Sequence, residues 1–485
     1  MVTRTSSLVQ QTGIQVVAKA AGIGLGVAAI ALLTRSLGRE GYGAYATIMA
    51  YLQLFGIAVD LGLNVLAPTV LAETHAPEGD GEARNNFSHI FTMRLVAGVG
   101  AFAIAAAVAW VIPLYSDEVR VGIALATLSF LAIVLTQILQ APFQVAGRMQ
   151  WPAFAEVVGR AVLVAGVACA AWAAAGLHAM VLATVVGNIL ILILTLVRAR
   201  RIIPVRLTYD RAAWVAILHR TWPIALSILC NLVYLRADAV ILSLLRPAAD
   251  VGAYAAPYRL LDVLTQFPHM VMGLMLPLFA AAWGAGDHAQ LRARLQHTFD
   301  ALAVVAMPIT VGAIVLGTPL MILISGPEFA VSGPVLGVLA LALLGIFLGQ
   351  PFGYAVVAVG AQRRMLLGYA VVAAVTLAGY LLLIPRYSFW GAAGMTVVSE
   401  VAIAFWTFVI VRRATQFTPK LAVAGCAALA ALGMVVPLLL TSAWPVLIRI
   451  AIGAITYCVL LVVFPSTRQM MRAALDVSRR EPYGA

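Results

Sequence analysis

Long apolar runs separated by short polar loops occupy almost the whole chain. Each run has about 20 residues, the length that one helix needs to cross a hydrocarbon layer of roughly 30 Å. The runs predict helices over residues 12–33, 42–71, 88–112, 119–141, 152–175, 178–197, 220–245, 251–282, 297–324, 333–359, 365–384, 390–411, 421–440 and 446–464. We therefore predict an all-α fold, a polytopic membrane protein with about 14 transmembrane helices.

The composition agrees with this prediction and argues against a soluble protein. Of 485 residues, 63% are hydrophobic and 10% are charged, and the mean hydropathy is +1.00. This is more apolar surface than a soluble core can bury. The first apolar segment, Ile14 to Leu33, is too long for the core of a signal peptide, so we interpret it as a retained helix. The four cysteines lie far apart inside apolar runs, so the sequence predicts no disulfide framework, no metal site and no cofactor.

The net charge of +12 comes almost entirely from arginine, and its distribution predicts the topology. With a cytoplasmic N-terminus, the predicted outer loops keep only Arg35, Arg39, Arg120, Arg246 and Arg386. The predicted inner loops hold a much larger share, including the dense run Arg198, Arg200, Arg201, Arg206, Arg211 and Arg220. Because Lys and Arg are enriched in cytoplasmic loops, we expect both termini in the cytoplasm. The same rule explains the basic charge without nucleic acid as a partner.

An internal repeat organises the chain. The tetrapeptide Gly43-Ala44-Tyr45-Ala46 recurs as Gly252-Ala253-Tyr254-Ala255. With the same ungapped offset, two prolines find counterparts, Pro68 in Pro277 and Pro142 in Pro351. Several matches in one register indicate a duplicated unit, and they make these four prolines candidates for hinges.

The repeat and the basic run together predict the domain organisation. We expect an N-lobe of six helices at 1–200, a basic cytoplasmic linker at 201–219, a C-lobe of six helices at 220–412, and an extra helix pair with a cytoplasmic tail at 413–485. Six is an even number, so both halves enter the bilayer in the same direction. The halves are then parallel repeats related by an axis along the membrane normal, with a substrate site between them.

Several motifs resemble those of a known transporter family. They are Arg35-Ser36-Leu37-Gly38-Arg39-Glu40-Gly41-Tyr42-Gly43-Ala44-Tyr45, Asp60-Leu61-Gly62-Leu63, Asp238, Val251-Gly252-Ala253-Tyr254 and Arg259-Leu260. Over about the first 412 residues, the chain resembles the polysaccharide transporters of the multidrug/oligosaccharidyl-lipid/polysaccharide exporter superfamily. These transporters are flippases of lipid-linked oligosaccharide precursors for O-antigen and exopolysaccharide, and the extra helix pair agrees with fourteen-helix members.

The resemblance implies two six-helix lobes in a V around a solvated cavity that opens alternately to the cytoplasm and the periplasm. It implies a transporter with no covalent chemistry, and thus not an enzyme. The expected activity is to move an undecaprenyl-diphosphate-linked oligosaccharide from the inner to the outer leaflet of the bacterial plasma (inner) membrane. The implied partners are this lipid-linked oligosaccharide, membrane lipid, a coupling ion (H⁺ or Na⁺) and polysaccharide-assembly proteins.

Four cations within predicted spans are candidates for binding the diphosphate, namely Lys19, Arg94, Arg236 and Arg259. A charge at mid-bilayer costs at least roughly 2.5 to 3.5 kcal/mol, so it needs a partner or a water-filled cavity. Arginine and lysine that face such a cavity suit a compact anionic group. Snorkelling of Lys19 and Arg94 to the interface, and ion pairing of Arg236 and Arg259, are the structural alternatives.

Four embedded carboxylates are candidates for proton or sodium coupling, namely Asp60, Asp238, Asp262 and Glu400. A carboxylate in a low-dielectric cavity can titrate during a transport cycle. Alternatively, Asp238 pairs with Arg236 or Arg259, and Asp262 neutralises Arg259 three residues before it on the same helix face.

Three other local patterns favour structural roles. Glu156 and Arg160 stand at i and i+4, so they can neutralise each other on one helix. The glycines of the segment Gly22–Gly26 lie within an apolar helix with no preceding strand, which favours close helix packing over a nucleotide loop. Arg449, near the outer start of the last helix, is expected to snorkel.

Three other functions remain open. A drug or small-cation antiporter on the same fold is expected to favour carboxylates in its cavity, whereas the embedded charges here nearly balance. A peptidoglycan-precursor flippase is close in mechanism. An intramembrane glycan polymerase or ligase is less favoured, because its expected large outer loop has no counterpart among the short outer loops of this chain.

Overall fold

The computed structural model describes residues 2–60, 62–73, 80–465 and 467–468. Within these helices, the side chains of residues 2–20, 57–58, 65, 73, 80–85, 220 and 223–235 are not described. The described part of the chain is helical with short connections and contains no strand. This confirms the predicted all-α fold.

The helices fall into two compact units, one up to Gly252 and one from Ala253 onward. The first unit holds α1 (Val2–Ala58), α2 (Leu63–Glu73), α3 (Asp80–Val111), α4 (Asp117–Leu139), α5 (Ala141–Val145), α6 (Gln150–Trp172), α7 (Gly176–Ala199), α8 (Arg211–Leu245) and the start of α9 (Ala248–Leu264). The second unit continues with α10 (Gln266–Gly284), α11 (His288–Ser325), a 3₁₀ turn (Pro327–Phe329), α12 (Ser332–Ala358), α13 (Gln362–Tyr387), α14 (Phe389–Thr415), α15 (Ala422–Gly433), α16 (Val435–Leu440) and α17 (Val446–Val463).

Within the described residues, twelve helical segments are long and apolar enough to span a membrane. The chain is therefore a multi-pass membrane protein. The first two predicted spans fall on α1 and α2. Gly38 leaves helical geometry, with φ 65° and ψ −175°, so α1 consists of two helices that meet at a kink there. The seventh predicted span lies on α8, where many side chains are not described, and α8 is not among the twelve. The count of about 14 thus remains a prediction.

The division into compact units differs from the predicted domains because α8 packs against α1 and α3 in the first unit. The predicted limits at 1–200, 201–219, 220–412 and 413–485 follow the sequence repeat instead, and they stay a prediction.

The repeated sequence is accompanied by repeated local structure. In the first unit the hydroxyl groups of Tyr45 and Thr184 are 3.0 Å apart, and in the second unit those of Tyr254 and Thr396 are also 3.0 Å apart. Both tyrosines occupy the same place in the repeated tetrapeptide. Each unit thus ties its copy of the motif to a later helix with the same hydrogen bond.

A cluster of buried apolar residues holds the first unit together near one end of its helices. It is built from α2, α3, α4 and α5 and includes Leu63, Ile90, Ile138 and Phe143. Ile203, in the segment that joins α7 to α8, is buried in the same cluster. The connection between these two helices is therefore packed onto the unit.

In the second unit the C-terminal helices α15 to α17 pack on α11. The contact uses the small side chains Ala427, Ala430 and Ala431 of α15, and Tyr457 of α17. Small residues allow helix backbones to approach closely where no aqueous hydrophobic effect drives them together.

Two prolines inside helices leave a backbone carbonyl group without its helical hydrogen bond, and in both cases a side chain of another helix donates to that carbonyl group. Proline has no N–H, so it releases the carbonyl oxygen four residues earlier. Pro257 releases that of Ala253, which accepts a hydrogen bond from Ser332 Oγ at 2.8 Å. Pro308 releases that of Val304, which accepts from the Tyr457 hydroxyl at 2.7 Å. These partners stabilise the two proline sites.

The four hinge candidates all lie in helices. Pro68, Pro277 and Pro351 lie inside α2, α10 and α12, and Pro142 lies in the first turn of the short helix α5. Their action as hinges stays a prediction.

Candidate functional site

The break between α1 and α2 carries the first candidate residue, Asp60. The chain leaves helical structure after Ala58 and resumes it at Leu63, and Gly62 has a φ of 75°, which glycine adopts without strain. Arg94 of α3 reaches this break. Its Nη1 donates to Asp60 Oδ1 at 2.5 Å and to the Asp60 carbonyl oxygen at 3.0 Å.

The other nitrogens of the same guanidinium group are also engaged. Arg94 is fully buried, its Nε donates to the Val134 carbonyl oxygen at 3.3 Å, and its Nη2 donates to Gln137 Oε1 at 3.0 Å. The backbone N–H of Asn64 donates to Asp60 Oδ1 at 3.2 Å. A single arginine thus joins α3, α4 and the break, and its buried charge has an opposite charge beside it.

A second pair of candidates, Arg236 and Asp238, lies on α8. Arg236 is partly exposed, whereas Asp238 is buried and its Oδ1 accepts the backbone N–H of Ala239 at 2.7 Å. Both side chains take part in further interactions, so neither is an isolated charge.

A third pair lies on α9. Nη1 of Arg259 is 3.5 Å from Oδ2 of Asp262, and the two side chains are 40% and 26% exposed. Arg259 is 11 positions after Ala248, the first residue of α9, which is about 17 Å along the axis at 1.5 Å per residue. The structure therefore confirms the predicted pairing and places a half-exposed arginine deep within a spanning segment.

Glu400 stands on α14 and is partly exposed. Among the described residues it has no hydrogen-bond or ion-pair partner. Just after it along the chain, α14 comes close to α12: a Cβ at Gly345 would lie 3.6 Å from Val401, and a Cβ at Gly349 would lie 2.7 Å from the Cβ of Ala404. The carboxylate thus lies next to a tight helix contact.

The remaining candidate is Lys19, which lies on α1, but its side chain is outside the described residues. Among the residues that are described, no three His, Cys, Asp or Glu side chains come together to hold a metal ion.

The predicted pairing of Glu156 with Arg160 is confirmed. Arg160 Nη2 lies 2.7 Å from Oε1 of Glu156. The Arg160 side chain also lies on the glycine-rich face of α1: a Cβ at Gly26 would be 3.3 Å from its Nη1, and one at Gly22 would be 3.9 Å from its Nε. A side chain of α6 thus lies on this face of α1, and the predicted close helix packing at Gly22–Gly26 stays a prediction.

The expectation for Arg449 is wrong. Its side chain does not extend to the interface, because it is buried and its Nη2 donates to the carbonyl oxygen of Leu438 at 3.0 Å. That carbonyl group lies near the end of the short helix α16, where the last carbonyl groups have no N–H partner within the helix. Arg449 therefore caps a neighbouring helix.

Sequence reasoning also missed a close backbone contact inside the first unit, between α1 and the start of α9. A Cβ at Gly43 would overlap the carbonyl oxygen of Ala248, and a Cβ at Gly252 would overlap the carbonyl oxygen of Arg39. Arg39 and Ala248 are themselves equivalent positions of the repeat. The contact is therefore symmetric, and it requires glycine on both sides.

Comparisons with known proteins agree with the motifs. The sequence pattern of a family described as polysaccharide biosynthesis protein matches residues 32–334. The succinoglycan biosynthesis transport protein ExoT of Rhizobium meliloti (strain 1021) is 23% identical over 502 residues, which cover 99% of this chain and 97% of that protein.

Solved structures share the fold. The lipid II flippase MurJ in an inward closed conformation matches with a TM-score of 0.79 and 14% identity, over 93% of this chain and 98% of that one. An inward-facing multidrug resistance MATE family transporter of the MOP superfamily matches with a TM-score of 0.67 and 14% identity, over 81% of this chain and 94% of that one. At these identities the likeness is one of fold.

The family match covers more than half of the chain and includes both copies of the repeated tetrapeptide. The chain thus belongs to the polysaccharide biosynthesis protein family.

Proposed function

We propose that the protein is a flippase that moves an undecaprenyl-diphosphate-linked oligosaccharide across the bacterial plasma membrane by alternating access. The product serves surface polysaccharide synthesis, as O-antigen or exopolysaccharide. The family, a relative named for succinoglycan transport and the fold of a lipid II flippase support this proposal.

The observation that carries the proposal is the half-exposed Arg259 within the spanning segment Ala248–Gly284. A charged group that faces hydrocarbon is strongly unfavourable, so its exposed face is best placed against a water-filled cavity. Its ion pair to Asp262 is long, at 3.5 Å, which leaves guanidinium donors for another anion. A planar guanidinium group can donate two parallel hydrogen bonds to two phosphate oxygens, and a diphosphate group supplies such oxygens.

The other candidates divide into two groups. Arg236 is partly exposed on α8, nine positions before Leu245, or about 14 Å from the end of that helix, so it joins Arg259 as a proposed diphosphate contact. Lys19 is retained in the same role from its sequence position. All three guanidinium nitrogens of Arg94 donate hydrogen bonds to protein acceptors. Its proposed role is therefore to hold Asp60 and the helix break in place.

A coupling ion requires a carboxylate that can change its charge during the cycle. Glu400 is the strongest candidate, because it has no partner among the described residues and lies beside the α12–α14 contact. Asp238 and Asp262 are further candidates. Asp60 is the weakest candidate, because Arg94 holds it.

The test is deletion and complementation in the bacterium that encodes the protein. We expect the deletion strain to lose surface polysaccharide and to accumulate its lipid-linked precursor. Complementation with Arg259→Gln is expected to restore at most about a tenth of the surface polysaccharide, because one charge-assisted hydrogen bond contributes about 1.5–3 kcal/mol. Arg160→Gln is the matched control, since Arg160 is also half-exposed on a spanning helix and has a local carboxylate partner.

Normal surface polysaccharide in the deletion strain would contradict the proposal. If drug sensitivity appears in its place, the protein is an antiporter. If a peptidoglycan precursor accumulates instead, the substrate is that lipid.

A further inference from the structure

The segment that joins α7 to α8, residues 200–210, forms an ordered basic strap on the first unit. Three of its arginines are exposed, namely Arg200, Arg201 and Arg206. Its one carboxylate, Asp210, accepts a hydrogen bond from the backbone N–H of Ala212 at 2.9 Å and so caps α8. None of the three arginines has an ion-pair partner among the described residues.

Hydrogen bonds hold the strap against α3. Ser88 Oγ donates to the carbonyl oxygen of Pro204 at 3.3 Å, and the backbone N–H of Thr208 donates to Thr92 Oγ1 at 3.0 Å. The hydroxyl group of Thr208 also lies 3.3 Å from Nδ1 of His89. The strap therefore keeps a fixed position on the protein.

Packing gives the strap two different faces. Ile203 is buried in the apolar cluster of the first unit, so one face is covered. On the other face, Leu207 and Tyr209 are 68% and 71% exposed. They stand among the exposed arginines, so this face combines positive charge with apolar side chains.

The strap lies at the level of a membrane surface. Helix α7 has 24 residues, or about 36 Å at 1.5 Å per residue, which exceeds a hydrocarbon layer of roughly 30 Å. The strap begins directly after its last residue, Ala199. Its exposed face is thus level with lipid headgroups.

We propose that the basic strap binds the headgroups of anionic phospholipids. Arginine recognises the headgroup phosphate, and exposed leucine and tyrosine side chains insert into the apolar layer beneath it. A free phosphate would use the arginines alone and leave the two apolar side chains in water. The inference depends on the membrane fold and not on the identity of the transported substrate.

The test measures lipid binding by the purified full chain in detergent. The probe is fluorescent phosphatidylglycerol, and phosphatidylcholine with the same dye is the reference. The variant is Arg200→Gln/Arg201→Gln/Arg206→Gln. The matched control is Arg292→Gln/Arg363→Gln/Arg364→Gln, which removes the same charge from exposed arginines elsewhere.

We expect the strap variant to lose about tenfold to a hundredfold in affinity for phosphatidylglycerol, because each basic residue near an anionic surface adds to binding. The control is expected to stay within about twofold of the unchanged protein, because it leaves the strap arginines in place. Lysine at the three strap positions is expected to keep most of the affinity, because the charge is preserved.

Three results would overturn the inference: no loss in the strap variant, an equal loss in the control, or displacement of the lipid by millimolar glycerol phosphate. A stronger preference for polyprenyl diphosphate than for phosphatidylglycerol would reassign the strap to the transported lipid. If the unchanged protein binds phosphatidylglycerol through the strap but moves no lipid between leaflets, only the proposed transport function is contradicted.

Discussion

Arg94 is a fully buried charge whose three guanidinium nitrogens donate to Asp60, Val134 and Gln137. The sequence predicts local pairs such as Glu156–Arg160, because residues at i and i+4 share a helix face. Asp60 and Arg94 are 34 positions apart on different helices, so no local pattern could reveal their pairing. The same limit applies to Arg449, whose acceptor is a carbonyl group of another helix.

At this scale we predict that Asp60→Ala destabilises the protein by about 3–5 kcal/mol, because it leaves the buried charge of Arg94 uncompensated. The measurement is denaturant unfolding of the purified chain in detergent. The double variant Asp60→Ala/Arg94→Met is expected to recover part of the loss, since it removes both charges. If Asp60→Ala unfolds like the unchanged protein but binds substrate poorly, then Arg94 acts in binding and our structural role for it is wrong.

At the scale of helices, apolar runs predicted most segments to within a few residues. The prediction of 88–112 corresponds to Asn86–Val111 and that of 178–197 to Gly176–Ala199. The hydropathy of a run cannot tell whether a helix continues through the polar residues beside it. Helix therefore continues on both sides of a kink at Gly38 between the first two predicted spans, and the predicted eighth span consists of α9 and α10, which meet at Thr265.

The repeated tetrapeptide could be found in the sequence, but its symmetric backbone contact could not. We predict that Gly43→Ala destabilises the protein by about 1–3 kcal/mol, as overpacking does, because the added Cβ overlaps the carbonyl oxygen of Ala248. Gly100→Ala on α3 is the control, since a Cβ there meets no atom within 4 Å. Thermal unfolding in detergent distinguishes them. Equal unfolding temperatures would show that the close approach of these backbones does not contribute to stability.

For the whole molecule, the sequence predicted a multi-pass all-α transporter, because composition and motifs report class and family directly. The candidate site could be predicted from the sequence only in part. Residue type and depth in the predicted spans identified the embedded charges as candidates. They could not distinguish Arg94, which is fully buried and has a structural role, from Arg259, which is half-exposed. That distinction depends on tertiary packing, which no single stretch of sequence contains.

The most direct test is lipid flipping by the purified protein in liposomes that contain a fluorescent undecaprenyl-diphosphate oligosaccharide. A quencher outside the liposomes reports which leaflet the fluorophore occupies. We predict movement between leaflets that requires the protein, slows by about tenfold or more with Arg259→Gln, and persists with Arg160→Gln, because only the first variant removes a proposed diphosphate contact. A fluorophore that stays in its leaflet while a cationic drug crosses the same membrane would contradict the account.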